Sequence, residues 1–258
     1  MKQKQDYIAV FDSGVGGVSV LRRLKAQLPR ERFLYFGDSA NAPYGDRPEE
    51  QILQLTLSAV ERILTRPVKA LVLACNTATA VAVDTIRSRY PELIVIGIEP
   101  AVKLAADRYP GGTVGMLSTT ATLKSHRVNR LMEQHSDRCT FIPLAAPGLA
   151  TLVEQGKGNS SQAKALLEDL LQPYREKLDA VVLGCTHYPF AAGALRECLG
   201  SKIPLLDGSL GTAVHTRSLL EAAELLHDGP GEVVWENSLE DPCVSEQYRL
   251  LMEQPLED

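Results

Sequence analysis

The chain is predicted to be an α/β protein of two similar parallel-sheet lobes related by a pseudo-twofold, with its functional site in the cleft between them. Three observations carry this. Strand and helix patterns alternate along the chain, which means parallel βαβ units. One pattern occurs twice, as Ala70-Leu71-Val72-Leu73-Ala74-Cys75-Asn76-Thr77 and as Ala180-Val181-Val182-Leu183-Gly184-Cys185-Thr186-His187. The spacing also recurs: Asp12 precedes Cys75 by 63 residues and Ser118 precedes Cys185 by 67.

The first element is a short apolar strand, Tyr7–Phe11, followed by a helix over Val18–Leu28 and a strand over Arg32–Phe36. Pro48–Leu64 has apolar residues every three to four positions and reads as a helix. Ala70–Ala74 is a continuous apolar run, as expected of a strand covered on both faces. A helix over Ala78–Arg89 and a strand over Leu93–Ile98 complete the first series. After Glu99-Pro100 the plan restarts, with strands at Thr113–Leu117, Cys139–Pro143 and Ala180–Leu183. The helices expected among them are Ser125–Gln134, Ser160–Leu178 and Phe190–Leu199. Gly229-Pro230-Gly231 marks a turn between a helix around Thr212–His227 and a strand near Val233–Trp235. That last segment can return to the first lobe, giving lobes of 1–98 with 210–258 and of 99–209.

Composition narrows the function classes. The 258 residues are 45% hydrophobic and 23% charged, the balance of an ordinary globular protein. A net charge of −5, from 27 basic and 32 acidic residues without a basic block, makes nucleic acid a poor partner. There is no apolar stretch of membrane-spanning or signal-peptide length, so a cytoplasmic location is expected. Five cysteines, odd in number and without a CxxC pair, fit reduced thiols. The five histidines lack metal-ligand spacing, and no metal is expected.

Both repeats place a thiol at the carboxyl end of a strand, at the start of a helix. This is the usual ligand edge of an α/β sheet, and the helix dipole there favours a thiolate. Two thiols so placed can face one carbon from opposite sides. Neither begins a Cys-x5-Arg phosphate loop, because Val81 and Ala191 stand where the arginine would be. Asp12-Ser13-Gly14-Val15-Gly16-Gly17 opens the first helix, but the glycine spacing is wrong for GxGxxG and an Asp would repel a pyrophosphate. Asp12 reads instead as a carboxylate placed to meet an ammonium group, or as a turn residue that helps cap the helix. His187 is a proton partner for Cys185 or a hydrogen-bonded structural histidine. Pro43-Tyr44-Gly45 lies on the same edge and is a binding loop or a generic turn. Thr119 and Thr122 occupy the corresponding first loop of the second lobe, where helix caps look the same. Glu154 lies in a stretch without a clear element, where a surface glutamate is the default. Cys139, Cys198 and Cys243 lack polar helix-start company and read as structural.

These segments together resemble the cofactor-independent aspartate/glutamate racemase family, in its glutamate branch. The resemblance covers nearly the whole chain and rests on Phe11-Asp12-Ser13-Gly14-Val15-Gly16-Gly17, Gly37-Asp38-Ser39, Pro43-Tyr44-Gly45, Cys75-Asn76-Thr77-Ala78, Ile98-Glu99-Pro100-Ala101 and Cys185-Thr186-His187-Tyr188-Pro189. It implies interconversion of L- and D-glutamate for peptidoglycan synthesis, with Cys75 and Cys185 as the two acid/base catalysts and Asp12, Glu154 and His187 assisting. It further implies substrate contacts at Asp12, Ser13, Pro43, Tyr44, Gly45, Asn76, Thr77, Thr119, Thr122, Thr186 and His187. No cofactor, nucleic acid or membrane is implied, and the expected assembly is a homodimer. The rival readings are an aspartate or hydantoin racemase, a non-catalytic amino-acid-binding protein and a cysteine hydrolase. A binding protein needs no thiol pair, and a hydrolase leaves the second thiol unexplained.

Overall fold

The computed structural model describes residues 2–254. Nine strands and eleven α-helices run through them in the expected alternation. In chain order they are β1 (Tyr7–Asp12), α1 (Val18–Gln27), β2 (Arg32–Gly37), α2 (Glu49–Ile63), β3 (Val68–Leu73), α3 (Asn76–Arg89), β4 (Ile94–Gly97) and α4 (Val102–Arg108). Then come β5 (Thr113–Ser118), α5 (Thr120–Lys124), α6 (His126–Glu133), β6 (Thr140–Ala145), α7 (Leu149–Glu154), α8 (Ser161–Leu171), β7 (Ala180–Leu183) and α9 (Ala192–Leu199). The chain closes with β8 (Leu205–Asp207), α10 (Ser209–Ala222), β9 (Glu232–Asn237) and α11 (Pro242–Glu253).

The strands form two all-parallel sheets, in the orders β4-β3-β1-β2-β9 and β6-β5-β7-β8. Read in the opposite direction, the second sheet is β8-β7-β5-β6 and repeats the first without its edge strand β9. Each sheet has its topological switch point beside its central strand, between β1 and β3 and between β5 and β7. Crevices outside the carboxyl ends of the strands at such points are where α/β sheets bind ligands. Cys75 follows β3 and Cys185 follows β7, so both thiols stand at switch points. The strands of the first sheet lie within residues 7–97 and 232–237, those of the second within 113–207. Of the expected lobes, Met1 and residues 255–258 fall outside the described residues.

Three apolar cores hold this arrangement. One lies between the first sheet and the helices α2 and α3, and includes Phe11, Leu34, Ile52, Val60, Leu71 and Ile86. Another lies under the outer face of the second sheet, around Val102, Val114 and Val182. The third crosses from lobe to lobe: Val10, Val18, Leu21 and Tyr35 join Leu117, Leu149, Val153 and Tyr188 in one cluster. Helix α2 shows why such packing follows from sequence. Its buried Ile52, Thr56, Ala59, Val60 and Ile63 fall on one face, while Glu49 and Glu50 in the first turn and Arg62 in the last complement the helix dipole.

Several boundaries differ from the sequence expectation. The helix expected over Ser160–Leu178 ends at Leu171, because Pro173 lacks the N–H that would continue the ladder. The helix expected around Thr212–His227 runs over Ser209–Ala222, and Glu224 beyond it takes a φ of 56°. The chain that peels away there meets a buried ion pair. Lys69, in β3, is fully buried, and its Nζ donates to Glu31 Oε2 at 2.6 Å, to the Leu225 carbonyl at 2.9 Å and to the Lys4 carbonyl at 2.5 Å. Glu31 Oε1 accepts from the His227 backbone N–H at 2.8 Å. Burial lowers the Lys69 pKa, and Glu31 opposes that shift.

Removing one partner of such a pair leaves a buried charge without compensation. Lys69→Met is therefore expected to destabilise the protein by about 3–5 kcal/mol, and Lys69→Met with Glu31→Gln by less. Urea unfolding measures both variants. A loss below about 1 kcal/mol in the single variant would contradict the clamp.

A closed two-thiol active-site candidate between the lobes

The loop after β1 is shaped by what the second lobe puts against it. A β-carbon on Gly14 would lie 1.9 Å from Glu154 Oε1, and one on Gly16 would lie 2.4 Å from His187 Nδ1 and 2.6 Å from Thr186 Oγ1. The glycines therefore make room for side chains of the opposite lobe. Val15 N–H donates to Glu154 Oε1 at 2.9 Å. Asp12 is fully buried; it accepts from Gly14 N–H at 3.0 Å and from the Thr186 hydroxyl at 2.9 Å. Burial raises its carboxyl pKa to about 6, against the pull of nearby His187 and the two hydrogen bonds.

The two cysteines occupy equivalent places but unequal surroundings. Cys75 caps α3, its Sγ accepting from Ala78 N–H at 3.5 Å, and its thiol reaches Ser13 Oγ at 3.6 Å. These contacts favour the thiolate, as expected at a helix N-terminus. They do not prevail: burial and the nearby Asp12 push the thiol up to about 12. Cys185 is followed by a 3-10 turn at Tyr188–Ala191 in place of a regular helix start. Its Sγ lies 3.7 Å from His187 Nδ1.

His187 Nε2 in turn lies 2.5 Å from Glu154 Oε1. Burial alone would lower the imidazole pKa, but the partners Cys185 and Glu154 outweigh it and raise the pKa well above the usual histidine value. The ring thus retains a proton between a sulfur and a carboxylate. Glu154 reaches this position from the last residue of α7, a helix that starts after Gly148 at φ 85°.

Hydroxyls close the other side. Thr77 Oγ1 is 3.0 Å from Thr119 Oγ1 and 2.9 Å from Thr122 Oγ1, joining the two lobes. The Pro43-Tyr44-Gly45 loop is held by Tyr44, whose hydroxyl donates to buried Asp38 at 2.5 Å. Ala121 N–H donates to the Gly45 carbonyl at 2.9 Å. Ser13, Pro43, Tyr44, Gly45, Cys75, Asn76, Thr77, Thr119, Cys185, Thr186 and His187 all line one cavity of about 10 Å³. Asp12, Glu154 and Thr122 stand behind that lining, each bonded to a member of it. Sequence reasoning did not find Ala150, which also lines the cavity, nor Asp38, nor Gln247, whose Nε2 donates to the Glu154 carbonyl at 2.8 Å. A cavity this small has room for about one water molecule. An amino acid can enter only if the lobes part.

Both sulfurs border that cavity from different lobes, each with its own proton environment. Such an arrangement can take a proton from one side of a bound carbon and return one from the other. Among the described residues, Asn76 Oδ1 is a buried side-chain acceptor without a partner, and it belongs to a residue of the cavity wall. It is suited to an N–H donor on a bound molecule.

Comparison with known proteins gives a consistent picture. The family described as Asp/Glu/Hydantoin racemase matches residues 8–219. The chain is 38% identical over 251 residues to a glutamate racemase of Clostridium perfringens, covering 95% of this chain and 96% of that one. The crystal structure of glutamate racemase isoform RacE1 from Bacillus anthracis superposes with a TM-score of 0.87 at 29% identity, covering 99% and 97%. That of Escherichia coli glutamate racemase, in complex with L-glutamate and the activator UDP-MurNAc-ala, gives 0.82 at 29% identity, covering 96% and 94%. Among the described residues no helix is long and apolar enough to cross a membrane.

Asp12 gives a pH test. Its folded pKa of about 6 exceeds the ordinary carboxyl value of 3.8, so the folded protein binds this proton more tightly than the unfolded chain. That contribution is present at low pH and is lost as pH rises through about 6, where the buried carboxylate ionises. Asp12→Asn should therefore gain stability over the parent between pH 5 and pH 8, on the order of 1–2 kcal/mol. Unfolding at the two pH values measures the difference; a gap independent of pH would refute the assignment.

Proposed function

The chain belongs to the Asp/Glu/Hydantoin racemase family, and from that membership we propose that it interconverts L- and D-glutamate by two-base proton transfer between Cys75 and Cys185. The observation that carries the proposal is the pair of thiols at equivalent strand ends, bordering one cavity from opposite lobes. The α-hydrogen of an amino acid is very weakly acidic. Removing it needs a placed base, stabilisation of the carbanion and an acid on the opposite face. In one direction the α-C–H bond breaks, its proton goes to a thiolate and the electron pair moves toward the carboxyl group. The thiol on the other face then gives its proton to the same carbon. In the reverse direction the roles exchange, and the net proton count is unchanged.

The surroundings suit these roles. The Cys75 thiol, held near 12 by burial and Asp12, is a poised acid in the closed cavity. At Cys185, the protonated His187 ring between the sulfur and Glu154 supplies the cation that a thiolate needs. Backbone amides after each cysteine, with Thr77 and Thr186, can bind the α-carboxylate and take charge as the enolate develops. The Thr77-Thr119-Thr122 hydroxyls offer donors to the second carboxylate, and Asn76 Oδ1 offers an acceptor to the ammonium group. Closing the lobes excludes water, which strengthens these dipoles and keeps the transferred proton from solvent.

The lobes of this reading are 1–98 with 210–258 and 99–209. The reaction is proposed to run in the cytoplasm and to supply D-glutamate for peptidoglycan, without a cofactor. The proposed assembly is a homodimer. A groove of about 770 Å³ between α4 and α10 exposes Leu104, Leu210 and Val214 beside charges of both signs, among them Lys103, Arg108 and Asp107. Such a face can pair with its own copy about a twofold. Light scattering should report a dimer for the parent and a monomer for Leu210→Glu with Val214→Glu; a monomeric parent would reject the assembly.

Incubation with D- or L-glutamate in heavy water, without added cofactor, tests the reaction. The parent should place deuterium at the α-carbon and racemise both enantiomers, and act far more weakly on aspartate. Cys75→Ala and Cys185→Ala should each lose racemisation by at least about 10³-fold, with glutamate binding within about tenfold. Each variant should retain slow α-proton exchange with one enantiomer only, opposite in the two. Racemisation near the parent rate in either variant would end the two-base assignment.

A further inference from the structure

Helix α11 is anchored on the first lobe, yet it reaches the proton partners of Cys185. Tyr248, on α11, is fully buried, with its ring 4.9 Å from that of Tyr35 and 6.0 Å from that of Trp235. Its hydroxyl lies 2.7 Å from Ser39 Oγ, and Gly37 is bare enough to admit it. The helix start is fixed as well. Asp241 caps it by accepting from Cys243 N–H, and Asn237 Nδ2 donates to the Asp241 carbonyl at 2.9 Å and to Ser245 Oγ at 3.1 Å. The residue before Tyr248 is Gln247, whose Nε2 donates to the Glu154 carbonyl at 2.8 Å. That carbonyl ends the six-residue helix α7, where no residue of the helix can bond to it. Glu154 is thereby gripped at both ends: its main chain by α11, and its carboxylate by Val15 N–H and His187.

We propose that Gln247 is a positioning residue for proton transfer at Cys185, acting through Glu154 and His187. The proposal rests on the reading of Cys185 as an acid/base, and it extends the machinery to a helix far along the chain. A short helix with a loose end lets its last side chain swing; one bond to that end fixes where the carboxylate meets the imidazole. Without it, Glu154 holds His187 less firmly, and the imidazole gives up its proton more readily. The groups that face His187 are Cys185, Glu154 and Asp12, and only the Glu154 contact is changed by loss of Gln247.

The test compares the parent with Gln247→Ala, with Gln247→Met, which keeps the side-chain length but removes the donor, and with Glu246→Gln, an exposed neighbour paired with Arg249. Nitrogen-15 NMR of the histidine ring, without substrate, should show the His187 pKa lowered by at least about half a unit in both Gln247 variants. It should be unchanged in Glu246→Gln. Catalytic efficiency should fall about 3- to 30-fold. Because the two enantiomers are equal in energy, that fall must be the same in both directions. The primary deuterium isotope effects need not be. With α-deuterated enantiomers, the effect should rise for the one that Cys185 deprotonates and fall for the other. An unchanged His187 titration, isotope effects that move together, or failure of both Gln247 variants to fold would each overturn the proposal. A parent that does not act on glutamate would overturn the functional reading, and the histidine titration would still decide whether Gln247 positions Glu154.

Discussion

The structure depends on how close the loop after β1 comes to the second lobe. Gly14 and Gly16 leave no β-carbon where Glu154, Thr186 and His187 must sit. A larger residue at either place would push these side chains away, and the bonds from Val15 to Glu154 and from Thr186 to Asp12 would lose their present geometry. The apolar cluster that crosses the lobes supplies the driving force for contact, but it is not directional. The glycines decide how near the polar groups come. Since those groups are charged and buried, small changes in separation alter their protonation more than their packing.

A duplicated scaffold has been given unequal chemistry. The strand orders repeat, and each thiol follows the strand beside its central one. Yet Cys75 caps a regular 14-residue helix and faces Asp12, whereas Cys185 precedes a 3-10 turn and faces a histidine that is itself tied to a carboxylate. Desolvation outweighs the helix amide at Cys75, so position at a helix N-terminus does not by itself set protonation. The equivalence lies in the backbone and the difference in what each neighbouring element brings.

Much of this was legible in the sequence, for physical reasons. The runs ending in Cys75 and Cys185 are wholly buried strands, so their apolar pattern is continuous and their repetition conspicuous. Motifs at strand ends fall on one edge because all strands of a sheet are parallel, which is why residues as distant as Ser13 and Cys75 share a cavity. Short elements were not legible. β8 has three residues and α7 six, too few to show a period. Glu154 lies on the latter and so had no place before the fold was seen. Gln247 offered no signal at all: its partner is a main-chain carbonyl, which any sequence supplies. The shortfall at Leu171 was readable from Pro173, which the amphipathic pattern beyond it obscured.

The size of the cavity has a stereochemical meaning. Walls that close to a space of about 10 Å³ when nothing is bound would, in the proposed reaction, close on a substrate without slack and leave a planar carbanion no freedom to turn over. Each face of that carbon would then look at one sulfur for as long as the lobes stayed shut. The configuration of the product would record only which thiol gave up its proton, and the intermediate would keep no memory of the enantiomer from which it came. Handedness would thus be a property of the walls and not of the occupant, a symmetric outcome from an enclosure whose two sides are chemically unlike.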